Sequence, residues 1–332
     1  MVESLTVNGQ PYQVLSSGYQ FPLVGLGLWK IPRDVVAQVV YDAIKVGYRC
    51  LDGACDYGNE QEVGQGIKRA LDEGLVKRED LFVTSKLWNT YHKKEHVKPA
   101  LQKTLADLQL DYLDLYLIHF PVHIKFVPFE VRYPPGWNHT DEPGMVEEEE
   151  ATYHETWFAL EELVKEGLVR SIGCSNIGTA MLREVLHYST IKPAVLQVEL
   201  HPYLVQSKLV RFCKEKKVAV TAYSSFGAGS YVPLNMATVE ESSLEDPVIK
   251  EIAAAHGKSA AQVTLKWALQ RGTQIIPKTT SVERLVENLD VISWELTAEE
   301  MTKIDSLDKN RRFNDPGFFC QNAFATFYPI YD

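Results

Sequence analysis

From about residue 20 to residue 290 one pattern repeats along the chain. A short apolar, β-branched run is followed by a turn and then by a stretch whose apolar residues recur with a spacing near 3.6. The runs predict strands at Pro22–Leu26, Arg49–Leu51, Leu81–Ser85, Leu113–Ile118, Val169–Gly173, Val195–Val198, Val218–Ala222 and Gln274–Ile276. Helices are predicted between them at Asp34–Val46, Glu60–Glu73, Lys94–Leu108, Glu155–Glu166, Ala180–His187, Gln206–Lys216, Ser259–Gln270 and Ser281–Leu289. Alternation of this kind implies a parallel sheet with helical crossovers. About eight such units in one chain favour an α/β fold of the (β/α)8 TIM-barrel type, a single domain over residues 1–332, rather than an open doubly wound sheet. Ahead of the first unit, Asn8-Gly9 between two short apolar stretches predicts a β-hairpin that plugs one end of the barrel.

Three stretches exceed an ordinary strand-to-helix loop: Phe120–Glu150, rich in Pro, Gly and aromatics, Ser224–Asp246, and the aromatic tail after Leu307. Long loops after barrel strands build a pocket at the C-terminal face. Composition narrows the possible ligands. A net charge of −10 excludes a phosphate-backbone binder, so no nucleic-acid partner is expected. No apolar run is long enough for a bilayer, so no membrane partner is expected. The first residues lack the pattern of a secretory signal. Five scattered cysteines, Cys50, Cys55, Cys174, Cys213 and Cys320, include no CxxC pair. They point to neither a disulfide framework nor a metal site and, with the missing signal, to a reduced, cytoplasmic setting. In that setting the sequon Asn138-His139-Thr140 is a chance match, and the acidic run Glu147–Glu150 reads as a solvated helix start.

Candidate chemistry collects at the ends of three successive strands. Asp52 and Tyr57 follow the second, Lys86 follows the third and His119 follows the fourth, so a parallel barrel brings them to one face. The set suits carbonyl reduction. Hydride addition makes an alkoxide that must be protonated, and a tyrosine of pKa about 10 needs a nearby cation to act as its acid. Lys86 supplies that cation, Asp52 holds the ammonium, and His119 orients the carbonyl by a hydrogen bond. Gly25 and Gly27 form only a G-x-G, so no Rossmann fingerprint is present and a dinucleotide must be held otherwise. The last strand ends Ile276-Pro277-Lys278-Thr279-Thr280-Ser281, with Arg284, Glu287 and Asn288 at helical spacing beyond it. Hydroxyls at a helix N-terminus with one Lys and one Arg make a compact phosphate site.

With these residues in view, the chain resembles the aldo-keto reductases over almost its whole length. The resemblance rests on Gly25-Leu26-Gly27-Leu28-Trp29, Asp52-Gly53-Ala54, Tyr57-Gly58-Asn59-Glu60, Ser85-Lys86-Leu87-Trp88 and Ile118-His119-Phe120-Pro121. It continues through Ile172-Gly173-Cys174-Ser175-Asn176, Gln197–Tyr203 and Ile276-Pro277-Lys278. Within the family the chain is most similar to fungal D-xylose reductases, through Lys125–Pro128, Tyr133–Gly136, Ala222–Gly227 and Arg312–Pro316.

The resemblance implies NADPH-dependent reduction of open-chain aldoses, D-xylose to xylitol or L-arabinose to L-arabinitol, with Tyr57 as general acid. It implies that Lys278, Thr279, Thr280, Ser281 and Arg284 hold the 2′-phosphate of NADPH, and that Glu287 and Asn288 contact adenine. Ser175, Asn176 and Gln197 are expected to bind the nicotinamide carboxamide, with Tyr223 stacked on the ring. Ser224, Ser225, Phe226 and Gly227 begin a strap over the pyrophosphate, and Ile276 lies beside it. Trp29, Trp88, Phe120 and His119 line the sugar pocket, and Asp56 and Asn314 bond sugar hydroxyls. A homodimer is also implied.

Some positions depart from the relatives. Thr279-Thr280 stands where they commonly carry Ser-Asn, and Pro233 where users of NADH often carry Glu, so NADPH is expected to be preferred over NADH. Gly317-Phe318-Phe319 replaces a common Trp, which leaves L-arabinose, D-galactose or another carbonyl open as substrate. Two rivals are a glycoside hydrolase using Asp52 and Glu199, and a slow cofactor-binding regulatory barrel.

Overall fold

The computed structural model describes residues 5–7, 10–137 and 145–331. The sequon at Asn138 and the Asn8-Gly9 turn lie outside them. Three short strands, β1 (Leu5–Val7), β2 (Gln10–Val14) and β3 (Gln20–Pro22), form an antiparallel sheet ahead of the barrel. The predicted hairpin is its first half, with Leu5 paired to Tyr12.

Eight parallel strands follow: β4 (Leu26–Gly27), β5 (Cys50–Asp52), β6 (Phe82–Leu87), β7 (Leu113–Ile118), β8 (Val169–Ser175), β9 (Val195–Glu199), β10 (Ala219–Tyr223) and β11 (Gln274–Ile275). They pair in chain order, and the ring closes where Val24 bridges Ile275, with the Gly25 amide donating to the Ile275 carbonyl at 2.8 Å. The single strand expected at Pro22–Leu26 is in fact a transfer between two sheets. The Leu23 amide donates to Pro11 in the small sheet, whereas its carbonyl accepts from Ile275 in the barrel. At Gly27 the chain passes so close to the end of β11 that a Cβ would stand 2.5 Å from the Ile276 carbonyl oxygen, and only glycine fits.

Helices α1 (Arg33–Val46), α2 (Glu60–Asp72), α3 (Lys94–Leu108), α4 (Tyr153–Lys165), α5 (Thr179–Tyr188) and α6 (Ser207–Glu215) cover the first six crossovers. They are followed by α7 (Pro247–His256), α8 (Ala260–Gln270), α9 (Val282–Leu289), α10 (Ala298–Asp305) and α11 (Pro316–Phe324). Of these, α7, α10 and α11 were not expected from the pattern. Side-chain caps fix several starts: Asp246 accepts from the Val248 amide, Ser259 from that of Gln262, and Ser281 from that of Arg284.

Strand alternation divides the core in two. Phe82, Leu115, Leu117 and Val195 point into the barrel, where Phe21 of β3 and Leu15, just past β2, close its lower end. Phe21 meets Phe82 edge to face at 5.0 Å. The larger apolar layer lies between the strands and the surrounding helices. With the lower end plugged, polar residues at the upper strand ends are left facing a cavity. No helix among the described residues is long and apolar enough to cross a membrane.

Candidate active site

Lys86 sits at the inward-facing end of β6, fully buried, and would be costly there without partners. It has three. Its Nζ donates to Asp52 Oδ1 at 2.7 Å, to the Gly53 carbonyl at 2.8 Å and to Tyr57 Oη at 3.1 Å. Asp52 is satisfied in turn, because its Oδ2 accepts from Gln197 Nε2 at 2.7 Å. Tyr57 ends a short 3₁₀ turn, Cys55–Tyr57, between β5 and α2. Its ring keeps an open edge to the cavity while its hydroxyl is turned toward the ammonium.

The electrostatics differ from the simplest expectation. Burial pushes the Tyr57 phenol well above the ordinary tyrosine value, and the carboxylates of Asp52 and Asp56 push the same way. Desolvation therefore outweighs the nearby ammonium, and the phenol stays protonated. Because Lys86 donates to Oη, the phenolic proton is left for a partner in the cavity.

His119, just past β7, brings its Nδ1 within 3.0 Å of Asp56 Oδ1, though the two atoms lack the alignment of a hydrogen bond. Its ring lies edge to face with Tyr57 at 6.0 Å and with Trp88 at 5.2 Å, and stacks on Phe120 at 5.0 Å. Asp56, expected to reach substrate directly, thus also stands beside the imidazole.

The cavity above these groups has a volume of about 820 Å³. Trp29, Asp52, Asp56, Tyr57, Trp88, His119, Phe120 and Asn314 are on its walls, together with Ser175, Asn176, Gln197, Tyr223, Ser224, Ser225, Phe226, Gly227, Ile276 and Lys278. Lys86 lies behind Tyr57. Thr279, Thr280, Ser281 and Arg284 lie beyond the rim around the start of α9, and Glu287 and Asn288 in its last turn.

The amide side chains are tightly engaged. Asn176 donates from Nδ2 to the His119 carbonyl at 2.8 Å, and its Oδ1 accepts from Tyr223 Oη at 2.6 Å and from Tyr331 Oη at 3.3 Å. Asn314 Nδ2 donates to Tyr223 Oη at 3.1 Å. Ser175 Oγ donates to the Gln197 carbonyl at 2.9 Å.

At the far end of the cavity the residues fit an anion. Lys278 and Arg284 make no ion pair with a described residue, and Lys278 is close enough to Lys30 to depress its pKa, second to the effect of burial. Lys278 beside Lys30, with Arg284 in the first turn of α9, suits a phosphate. Ser281 is committed to capping α9 and to Glu283, Glu287 accepts from Ser259, and Asn288 is buried beside Tyr48.

Several residues on or just behind the wall gave no sequence signal. Lys30 donates to the Ser230 carbonyl at 2.7 Å and so ties the segment after β10 across the cavity. Tyr231 of that segment stacks on Phe313 of the tail, 5.7 Å between rings, so the two long segments share one apolar cluster. Trp137 stands between Trp88 and Phe319 at 5.3 and 5.1 Å. Glu199, fully buried, accepts from the backbone amides of Phe313 and Asn314 at 2.9 and 2.8 Å and pairs with His201. That use of Glu199, with Asp52 bound to Lys86, removes the pair of free carboxyls a glycoside hydrolase needs.

A plugged eight-stranded barrel with a buried Lys–Asp–Tyr group at the upper strand ends defines a reductase of the aldo/keto type. The chain belongs to that family: the profile described as "Aldo/keto reductase family" matches residues 23–309. It is similar to the probable NAD(P)H-dependent D-xylose reductase of Emericella nidulans, 54% identical over 308 residues, which are 92% of this chain and 96% of that protein. It is equally similar to the NAD(P)H-dependent D-xylose reductase of Scheffersomyces stipitis, 54% over 304 residues, or 91% and 95% of the two chains. The corresponding protein of Pyricularia oryzae is 49% identical over 318 residues, 95% and 97% of the two.

Proposed function

We propose that this chain is an NADPH-dependent aldose reductase that converts the aldehyde of an open-chain pentose, D-xylose first, to the alcohol. The observation that carries this reading is the Lys86 ammonium, held between Asp52 and Tyr57 beneath a cavity that runs from Trp29 and Trp88 to Lys278. Lys86 keeps the phenolic oxygen in place and stabilises the phenolate once Tyr57 has given its proton to the carbonyl oxygen. His119 donates a hydrogen bond to the same oxygen as negative charge gathers there. Trp29, Trp88 and Phe120 exclude water, and Asp56 and Asn314 bond the sugar hydroxyls.

When bound, the reduced nicotinamide supplies the hydride. Ser175, Asn176, Gln197 and Tyr223 would hold it, and Ser224 to Gly227 with Ile276 would cover the pyrophosphate. Lys278, Thr279, Thr280, Ser281 and Arg284 would hold the 2′-phosphate, with Glu287 and Asn288 at the adenine. Lys278 and Arg284, neither in an ion pair with a described residue, support NADPH over NADH. The whole chain acts as one barrel domain in the cytoplasm, in keeping with five buried free cysteines. It acts as a homodimer, which sedimentation equilibrium tests.

The direct test is NADPH oxidation with D-xylose, L-arabinose, D-galactose and D-glucose in turn. Turnover with a pentose well above the hexoses supports the reading. Tight NADPH binding with no aldose consumed would move the function to another carbonyl or to regulation.

A further inference from the structure

Glu60 lies three residues beyond Tyr57 and has no part in the chemistry above, yet the fold surrounds its carboxyl with donors. It opens α2 and is 4% exposed, in the layer between the barrel wall and the helices. Its Oε1 accepts from Ser85 Oγ at 2.6 Å, and its Oε2 accepts from Thr104 Oγ1 at 3.1 Å and from Tyr133 Oη at 3.4 Å. Four stretches of chain therefore meet on one side chain: the catalytic turn, β6, α3 and the long segment after β7. Ser85 directly precedes Lys86, and strand alternation sends one outward to Glu60 and the other inward to Tyr57.

The segment that carries Tyr133 goes straight on to the pocket. Pro134 packs against the catalytic turn so closely that a Cβ at Gly58 would stand 3.0 Å from its Cγ. The Gly136 carbonyl accepts from Trp88 Nε1 at 3.0 Å, and Trp137 then faces Phe120 at 5.1 Å. The anchor on Glu60 is thus four residues from the aromatic wall of the substrate site.

We propose that Glu60 is a positioning residue that locks the substrate-side segment to the catalytic turn and to the strand of Lys86, so that the fit of the aldose follows the protonation state of one buried carboxyl. The inference rests on the aldose reading above. Three hydroxyl donors on two oxygens suit a carboxylate. Once protonated, the group must itself donate, and one hydroxyl loses its acceptor. Tyr133, the longest of the three and also within hydrogen-bond reach of Asp107, is the first to turn away.

Burial works against the anion and lifts the carboxyl to about 7. Three of the groups facing it stay uncharged. Burial holds Cys55 of the catalytic turn, Tyr116 of β7 and Tyr133 itself in the protonated form. On α3, Asp107 is paired with Lys103. Above about pH 7 the anchored state prevails, and below it the segment loosens and the aldose KM rises.

Tyr133→Phe removes the anchoring hydroxyl and leaves the carboxyl and every residue at the chemistry in place. Its aldose KM should rise about threefold to tenfold, the worth of one hydrogen bond, with kcat and NADPH affinity close to the parent's. Glu60→Gln should abolish the rise in KM that the parent shows as pH falls from about 8 to 6. Tryptophan emission gives a readout independent of turnover, since Trp88 and Trp137 should titrate with a midpoint near 7 in the parent and not in Glu60→Gln. Parent-like KM in Tyr133→Phe, or a parent whose emission does not titrate, overturns the proposal. So does a loss confined to the folded fraction counted by NADPH binding. A parent that turns over no aldose but shows the emission titration overturns the functional reading and leaves the anchor standing.

Discussion

At the scale of the residue, Lys86 is fully buried and donates to three partners. A buried ammonium survives because Asp52, Gly53 and Tyr57 together replace its water, and Asp52 in turn depends on Lys86 and Gln197. Lys86→Met leaves the Asp52 carboxylate without its cation and should destabilise the fold by about 3–5 kcal/mol, read from denaturant unfolding. Adding Asp52→Asn should recover part of that loss, because the stranded charge is gone, while turnover stays low. Equal stability of the single and double variants would show that the two side chains are uncoupled. Convergence of Asp52, Tyr57, Lys86 and His119 was legible in the sequence, because each stands at or just past a strand end in a fold whose strand ends share one face. The raised pKa of Tyr57 was not, since it depends on how completely the third dimension desolvates the hydroxyl.

At the scale of the element, the repeated pattern found the barrel strands because buried parallel strands read as short apolar runs. It failed where length or context was missing. β4 has only two residues and is continuous in sequence with the transfer from the small sheet. α11 is apolar nearly all round and carried no periodic signal, whereas α7 had an overlooked start in Asp246-Pro247. The pocket wall Trp137 and its supports Lys30 and Phe313 are set by contacts between distant segments, which no local pattern encodes.

The first turn of α2 carries a prediction of its own. Burial lifts the Glu60 carboxyl from about 4.5, its ordinary value, to about 7, so the native state binds its proton more tightly than the unfolded state does. Stability tied to this group is greatest below about pH 4.5 and falls as pH rises toward 7, by up to about 3 kcal/mol. Glu60→Gln should therefore raise the melting temperature at pH 8 and lose that advantage by about pH 5. An advantage that grows on acidification would contradict the raised pKa.

At the scale of the whole molecule, an acidic chain of net charge −10 still puts Lys278 on the wall of the cavity, with Arg284 beyond its rim at the start of α9. The overall charge repels polyanions while Lys278 and Arg284 give a single phosphate somewhere to go. The two segments that roof the cavity share the Tyr231–Phe313 stack, so the cofactor side and the substrate side are packed as one unit. NADPH at about a hundred times its Kd should stabilise the fold by roughly 2.7 kcal/mol. NADH at the same concentration should stabilise it less, and Arg284→Ala should narrow the difference between the two. Equal shifts with both cofactors in the parent would count against the 2′-phosphate site.

The central claim is that Tyr57 gives the proton that completes aldehyde reduction, and the measurement closest to it is the D-xylose turnover of Tyr57→Phe with NADPH binding followed in parallel. Removal of the general acid predicts a fall in kcat of roughly 10²–10⁴ with NADPH still bound at parental affinity. Turnover near that of the parent would contradict the account and pass the proton to another group.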